Sequence, residues 1–303
     1  MIYDARKLKI IMDYNNFYYS NIIYRCNNKC PHCISHNTNK RRLNEGVYDI
    51  LKDIFPITGN YDNDIFIING GEPTLSEDFI PILDFLIERK IKIVVYSNGR
   101  LLRNKNIEKY KRDPKIRFIV PLYGKEEIHN QYTGTLSYKE TMESIYSFNK
   151  SDGLDIKFLI SADTRIEDLK ELYTEVYPHC NFINISAILC KGNYEIRKSQ
   201  ANTISEFIEY LISNNQPLKI SNFPICGFSQ NLRYYLNNGV CKEQKIANYY
   251  FISSKEIFKI KYDQMHRWEK SCSNCCWKSL CVDNGIKYRV MTISNGNIFL
   301  GEE

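Results

Sequence analysis

Short runs of β-branched and aromatic residues alternate along the first two thirds of the chain with segments whose apolar positions recur at helical spacing. Strands are predicted over residues 21–25, 64–68, 91–96, 116–120, 156–160 and 182–189. Helices are predicted over 43–55, 77–89, 104–111, 138–149, 166–177 and 204–213. The second helix is the most sharply patterned: Phe79, Ile80, Leu83, Leu86 and Ile87 share one face. Ser76 is its expected N-cap, with Glu77 and Asp78 in the first turn. Six strands alternating with helices predict a parallel sheet, because a helix is the crossover that a parallel pair requires. An open doubly wound sheet and a partial barrel both satisfy this pattern. After Ser213 the texture changes. The stretch NNQPLKISNFP reads as a linker, and the weakly patterned remainder holds six of the chain's eleven cysteines.

Position along this pattern is the first pointer to chemistry. Cys26 directly follows the first predicted strand, Gly70-Gly71-Glu72-Pro73 the second, Ser97-Asn98-Gly99 the third and Pro121-Leu122-Tyr123-Gly124 the fourth. Ligands of parallel α/β folds bind at the carboxyl ends of the strands, so that end is the expected site.

Composition decides how the cysteines are read. The N-terminus has no apolar segment of the kind that directs export, and the longest apolar runs are too short to cross a bilayer. A cytoplasmic protein is expected, in which thiols hold metal more readily than they form disulfides. A net charge of +6 over 303 residues is modest. Basic runs such as Lys40-Arg41-Arg42 are expected to be solvated surface, and nucleic acid is not an expected partner.

The stretch CNNKCPHC places Cys26, Cys30 and Cys33 together with no fourth cysteine close by. A structural zinc site calls for four ligands, and His32 is badly placed for the role. An iron–sulfur cluster fits better, since three thiolates can hold a four-iron cube by three corners and leave one iron open. In GGEP the glycines are expected to let backbone approach a ligand, and Glu72 to accept hydrogen bonds from an ammonium group.

C-x3-C-x2-C at Cys26, Cys30 and Cys33, NGGEPTL at 69–75, YSNGR at 96–100 and VPLYGKEEIHNQYTG at 120–134 together resemble the radical S-adenosylmethionine enzymes. The resemblance covers residues 20 to about 195 and extends to peptide-modifying members. It implies an α/β fold, a partial (β/α)6 TIM-like barrel over 20–214, after an N-terminal extension at 1–19. It also implies a [4Fe-4S] cluster on Cys26, Cys30 and Cys33. S-adenosylmethionine would be chelated on the open iron, with Gly70, Gly71, Glu72 and Pro73 along its methionine part. Ser97 and Asn98 would lie near its ribose or carboxylate, and Tyr123 is a further expected cofactor contact. The chain departs from the family pattern at Pro121 and Tyr123, where many relatives have serine and aspartate, and at Thr133, where many have arginine. His129 is expected to be a structural, hydrogen-bonded histidine.

The stretch SCSNCCWKSLCVDNG supplies Cys272, Cys275 and Cys281, with Cys226 as the expected fourth ligand and Cys241 its alternative. This resembles the auxiliary-cluster extensions called twitch or SPASM domains and implies a second, auxiliary [4Fe-4S] cluster in a small domain over 215–303. Zinc is the rival occupant, because paired thiolates are its habit. Cys190, at the carboxyl end of the sixth strand, could donate hydrogen to a substrate radical; a small buried hydrophobe is the plainer reading.

The resemblance thus implies an enzyme that generates a 5′-deoxyadenosyl radical and takes hydrogen from a peptide or protein, as in peptide cross-linking, epimerisation or thioether formation. Oxidation of a small molecule such as an aminoglycoside-type sugar alcohol is the alternative. A zinc protein that meets nucleic acid is the alternative of another class. Only 25 residues precede Cys26, so a separate leader-peptide recognition protein or direct peptide binding is expected, with flavodoxin or ferredoxin as electron donor.

Overall fold

The computed structural model describes residues 16–33, 47–188 and 198–221 and, beyond them, five strands between 240 and 302. Seven parallel strands stand side by side in sequence order: β1 (Asn16–Asn21), β2 (Ile65–Asn69), β3 (Lys92–Tyr96), β4 (Ile116–Leu122), β5 (Leu154–Ile160), β6 (Phe182–Ala187) and β7 (Leu218–Ser221). Helices α1 (Val47–Ile54), α2 (Phe79–Glu88), the short α3 (Glu108–Lys111), α4 (Glu126–Thr133), α5 (Tyr138–Tyr146), α6 (Ile166–Val176) and α7 (Lys198–Ser213) lie in the connections. The α/β class and the parallel sheet expected from the pattern are observed.

Three boundaries differ from the sequence expectation. The first strand is 16–21 rather than 21–25, so β1 begins inside the segment set apart as an extension. Residues 22–25 lie beyond it and reach the exit of β2 through single backbone bonds. Leu218–Ser221, read as linker, is a seventh parallel strand, paired with β6 from Ile183↔Leu218 to Ser186↔Ser221. Asp78 holds the N-cap position of α2 without a side-chain bond, and the capping hydroxyl is that of Ser76 two residues earlier, which accepts from the Asp78 N–H at 3.3 Å.

The later strands extend the sheet at both edges. β9 (Asn248–Ile252) pairs parallel with β1 and carries β10 (Ile257–Lys259) antiparallel to it. On the other side β11 (Arg289–Ser294) pairs antiparallel with β7, followed by β12 (Asn297–Glu302) and then β8 (Val240–Glu243). Among the described residues no helix is long and apolar enough to cross a membrane.

Period-two alternation sorts the strand side chains between the two faces. Phe66, Ile93, Val95, Phe118, Ile156, Phe158 and Ile185 pack with Leu83, Leu86, Ile145, Leu172 and Phe207 from the helices in one buried cluster. Each such side chain contributes about 1.5–3 kcal/mol relative to an exposed one. The intervening positions on β3 to β7 include Lys92, Arg117, Asp155, Lys157, Asn184 and Lys219, so the opposite face is largely polar. The pairings Asn21↔Asn69 and Ile160↔Ala187 keep the carboxyl ends of their strands level, while β4 runs three residues past Tyr96↔Ile119 and β5 two past Leu122↔Phe158.

Candidate functional site

The cysteine loop is built on the gap between β1 and β2. Ile22 N–H donates to Asn69 O (3.1 Å), Gly71 N–H to Ile23 O (2.7 Å) and Glu72 N–H to Arg25 O (2.9 Å), so residues 22–25 run against the GGEP loop. This contact explains both glycines. A Cβ on Gly70 (φ 142°) would lie 2.2 Å from Ile23 O, and one on Gly71 2.2 Å from Arg25 O. The glycines therefore serve the approach of backbone to backbone.

Beyond Arg25 the loop is pinned from two sides. Asn98 Nδ2 donates to Asn27 Oδ1 (2.6 Å) and lies 3.8 Å from Cys26 Sγ. Arg100 reaches Asn27 O and Asn28 Oδ1 with one nitrogen and Glu140 with another. From the other side Lys29 N–H donates to Thr133 O (2.8 Å) and Thr135 Oγ1 to Asn28 Oδ1 (3.1 Å). Cys33 N–H closes a turn on Cys30 O (3.2 Å). Cys26 is exposed, Cys30 and Cys33 half-buried.

Burial pushes the Cys26 thiol up, with the Glu72 and Cys33 charges adding to it. Burial and the neighbouring thiols push Cys30 up to about 11. Three thiolates on this loop repel one another and need a positively charged body among them. Among the described residues, no three His, Cys, Asp or Glu side chains form a group fit for a single metal ion. A cluster with a separate iron at each thiolate suits this donor set.

Glu72 is fully buried. Its Oε1 accepts from Thr74 N–H (3.1 Å), Thr74 Oγ1 (2.6 Å) and Ser97 Oγ (2.8 Å), and its Oε2 from Asn98 N–H (2.7 Å). The side chain joins the GGEP and SNG loops. Burial pushes its carboxyl up, against the pull of these four donors. Ser97 is likewise engaged, donating to Glu72 and accepting from Gly99 N–H at 3.1 Å. Pro73 is buried at the start of a short 3-10 turn. Of these loops, Gly70, Gly71 and the Asn98 side chain keep partial exposure beside Cys26.

Tyr123 follows β4 and is 5% exposed. Its hydroxyl lies 3.1 Å from His32 Nε2. Its ring stacks on Tyr132 (5.9 Å, 5°) and meets the edge of His129 (5.6 Å, 73°). His129 is 1% exposed, and neither ring nitrogen has a hydrogen-bond partner, which corrects the expected hydrogen-bonded histidine. Burial holds its pKa down to about 4. Thr133 donates from Oγ1 to His129 O (2.9 Å), while its carbonyl anchors Lys29.

Sequence reasoning missed α4, which carries His129, Tyr132 and Thr133, and missed Thr74, Asn27 and Arg100. The signal for α4 was present, with Glu126 and Glu127 in its first turn and Gly134 at its C-cap. Cys190, Cys226, Cys272, Cys275 and Cys281 lie outside the described residues. Cys241 falls on β8, opposite Ile298 of β12. Cys180 is buried, its thiol pushed up to about 12 by burial, as befits a small hydrophobe.

Residues 20–162, just under half of the chain, match the Radical SAM superfamily. The AdoMet-dependent heme synthase of Methanosarcina barkeri is 26% identical over 149 residues, which is 48% of this chain and 42% of that protein. The structure of Streptococcus suis SuiB bound to precursor peptide SuiA superposes with a TM-score of 0.54 at 17% identity, over 70% of this chain and 50% of that one. Native anSMEcpe with bound AdoMet and Kp18Cys peptide gives 0.54 at 17% identity, over 66% and 60%. The two structures share the fold, and the chain spans about half the length of these relatives.

Proposed function

We propose that this radical SAM domain holds a [4Fe-4S] cluster on Cys26, Cys30 and Cys33 with S-adenosylmethionine at the iron they leave open, and that the chain modifies a peptide. The observation that carries the reading is the docking of one three-thiol loop against both the GGEP and SNG loops. When bound, cluster and S-adenosylmethionine supply a hydrogen-abstracting radical. The chain's own residues orient them. The Glu72 bridge fixes the two loops to each other, Asn98 borders Cys26 with its amide, and Arg100 ties the loop backbone to α5 through Glu140. Two proteins of the same fold hold peptides, which supports a peptide substrate here. A second cluster on Cys272, Cys275, Cys281 and either Cys226 or Cys241, and an outside electron donor such as flavodoxin or ferredoxin, complete the proposal.

Anaerobic reconstitution followed by iron analysis and a 5′-deoxyadenosine assay tests it. Two clusters give about eight irons per chain and one gives about four. Zinc in place of iron overturns the reading. Deuterium passing from a labelled peptide into 5′-deoxyadenosine supports the substrate class, and its absence with every peptide tried while a small molecule transfers deuterium overturns that part.

A further inference from the structure

The Asn27–Asn28 peptide unit is gripped on one side and aimed on the other. Its carbonyl accepts from Arg100 Nη1, and its N–H donates to Cys26 Sγ at 3.4 Å. A trans peptide is planar, with C=O and N–H pointing in opposite directions, so whatever fixes the carbonyl also fixes where the hydrogen points. Arg100 is itself fixed. Its Nε donates to Glu140 of α5, and Nη1 also reaches Asn28 Oδ1 at 3.2 Å. Thr135 Oγ1 donates to that same oxygen at 3.1 Å, and Asn28 is buried. The bonds from guanidinium to carbonyl and from N–H to sulfur run in one direction, each polarising the next. Glu140 answers the charge of the guanidinium, so the influence on the sulfur passes through the peptide unit.

We propose that Arg100 aims the Asn28 N–H at the Cys26 sulfur and thereby raises the reduction potential of the cluster that this sulfur ligates. The inference rests on the cluster reading given under Proposed function. A donor at a ligating sulfur favours the more negative, reduced state of the cluster, and hydrogen bonds to the sulfurs are among the determinants of its potential. Arg100 is a positioning residue on this account: it touches neither sulfur nor substrate and acts through the peptide that it holds. Thr135 steadies the Asn28 side chain alone and leaves the direction of the peptide unit to Arg100.

The test is a reductive titration of the reconstituted protein followed by electron paramagnetic resonance. Cluster formation in the unaltered chain tests the underlying reading, and its failure would sink that reading rather than this one. With the cluster present, the α-hydroxy analogue of asparagine at position 28 turns the Asn27–Asn28 amide into an ester and removes its hydrogen. The ratio of reduced to oxidised cluster at fixed potential should fall about tenfold, equivalent to about 59 mV for one electron. Arg100→Lys keeps the cation but lacks the fork that spans Glu140 and Asn27 O. Its ratio should fall about threefold, equivalent to about 28 mV. Thr135→Val frees only the Asn28 side chain and should leave the potential unchanged. A role for Arg100 confined to holding the loop predicts lower iron content at an unchanged potential. An unchanged potential in the ester protein or in Arg100→Lys overturns the proposal, as does a shift in Thr135→Val as large as that in Arg100→Lys. Arg100→Lys decides alone should the ester protein fail to take up iron. Arg100→Gln, whose amide can hold one of the two partners, replaces Arg100→Lys on the same ground, and loss of iron from both makes Arg100 a folding residue and overturns its part.

Discussion

Two carboxylates are fully buried at opposite ends of the parallel sheet, and they are satisfied by different partners. At the amino end Asp155, second residue of β5, takes Arg117 Nη1 at 2.6 Å on one oxygen and Lys219 Nζ at 3.5 Å on the other. At the carboxyl end Glu72 takes four neutral donors and no cation. The amino end is neutralised within itself and behaves as scaffold. The carboxyl end gathers a carboxylate and three thiols without a countercharge, which is costly unless something positive arrives. The difference separates fold from site using charge alone, and substitutions can break it at either end.

The largest effect is expected from Cys30→Ala. Loss of an outer contact to a metal ligand costs ten- to a hundredfold, so loss of the ligand itself should lower 5′-deoxyadenosine formation by more than about a hundredfold. Iron bound at this loop should fall with it, while urea unfolding of the iron-free chain should scarcely change. Retention of the full iron content would remove this loop from the site.

Next comes Asp155→Ala, which strands Arg117 and Lys219 at the amino end. Breaking a buried pair costs about 3–5 kcal/mol, and the partial exposure of both cations (36% and 29%) brings the expectation down to about 2–3 kcal/mol. Equilibrium unfolding measures it. S-adenosylmethionine affinity should hold, and a parallel loss of affinity would mean that the two ends are not separate.

Glu72→Gln is the converse. The amide keeps one acceptor but turns a donor toward either Asn98 N–H or the Thr74 and Ser97 groups, at a cost of about 1–2 kcal/mol in stability. Because that side chain joins two loops, S-adenosylmethionine affinity should weaken about tenfold by calorimetry, equivalent to about 1.4 kcal/mol. Binding as tight as in the unaltered chain would reduce Glu72 to a folding residue.

The sheet was legible in the sequence because apolar runs such as IFII and KIVVY carry their own signal, and five of the six strands expected lie where the pattern put them. The first did not. NFYYSN is aromatic and polar, and its place is set by pairing with β2 and β9 rather than by its hydropathy. Pro217 and the asparagines before it disguised β7, whose three-residue apolar pattern matters only once β6 is beside it. Pro121 was read as loop, yet it lies within β4. Phe118 N–H donates to Gly153 O, just before β5, and Ile119 O accepts from Ser97, so the donor that Pro121 lacks would point past the end of β3. The three clustered cysteines stood out by spacing. What each loop residue does there was not legible, because Glu72 reads the same whether it faces a ligand or another loop. Only the bonds to Thr74, Ser97 and Asn98 show it joining the two loops.

The smallest expected effect sharpens the comparison at the carboxyl end. His129 is a base with no acid near it: Tyr123 and Tyr138 face its ring, and both nitrogens lack partners. Its pKa of about 4 in the fold lies below the usual 6.5, so the unfolded chain binds the proton first as pH falls. The stability that His129 leaves intact above pH 6.5 is therefore lost progressively toward pH 4. Between pH 7.5 and 5.5 the loss from this residue is about 1 kcal/mol. His129→Phe keeps both edge-to-face contacts and removes the titration, so its unfolding free energy should fall by about 1 kcal/mol less over that interval. The same substitution removes two unpaired buried nitrogens and should leave the protein at least as stable at pH 7.5. Equal pH dependence in the two proteins would show that the imidazole is hydrated or paired in solution, and that the carboxyl end holds one fewer uncompensated group than the geometry assigns to it.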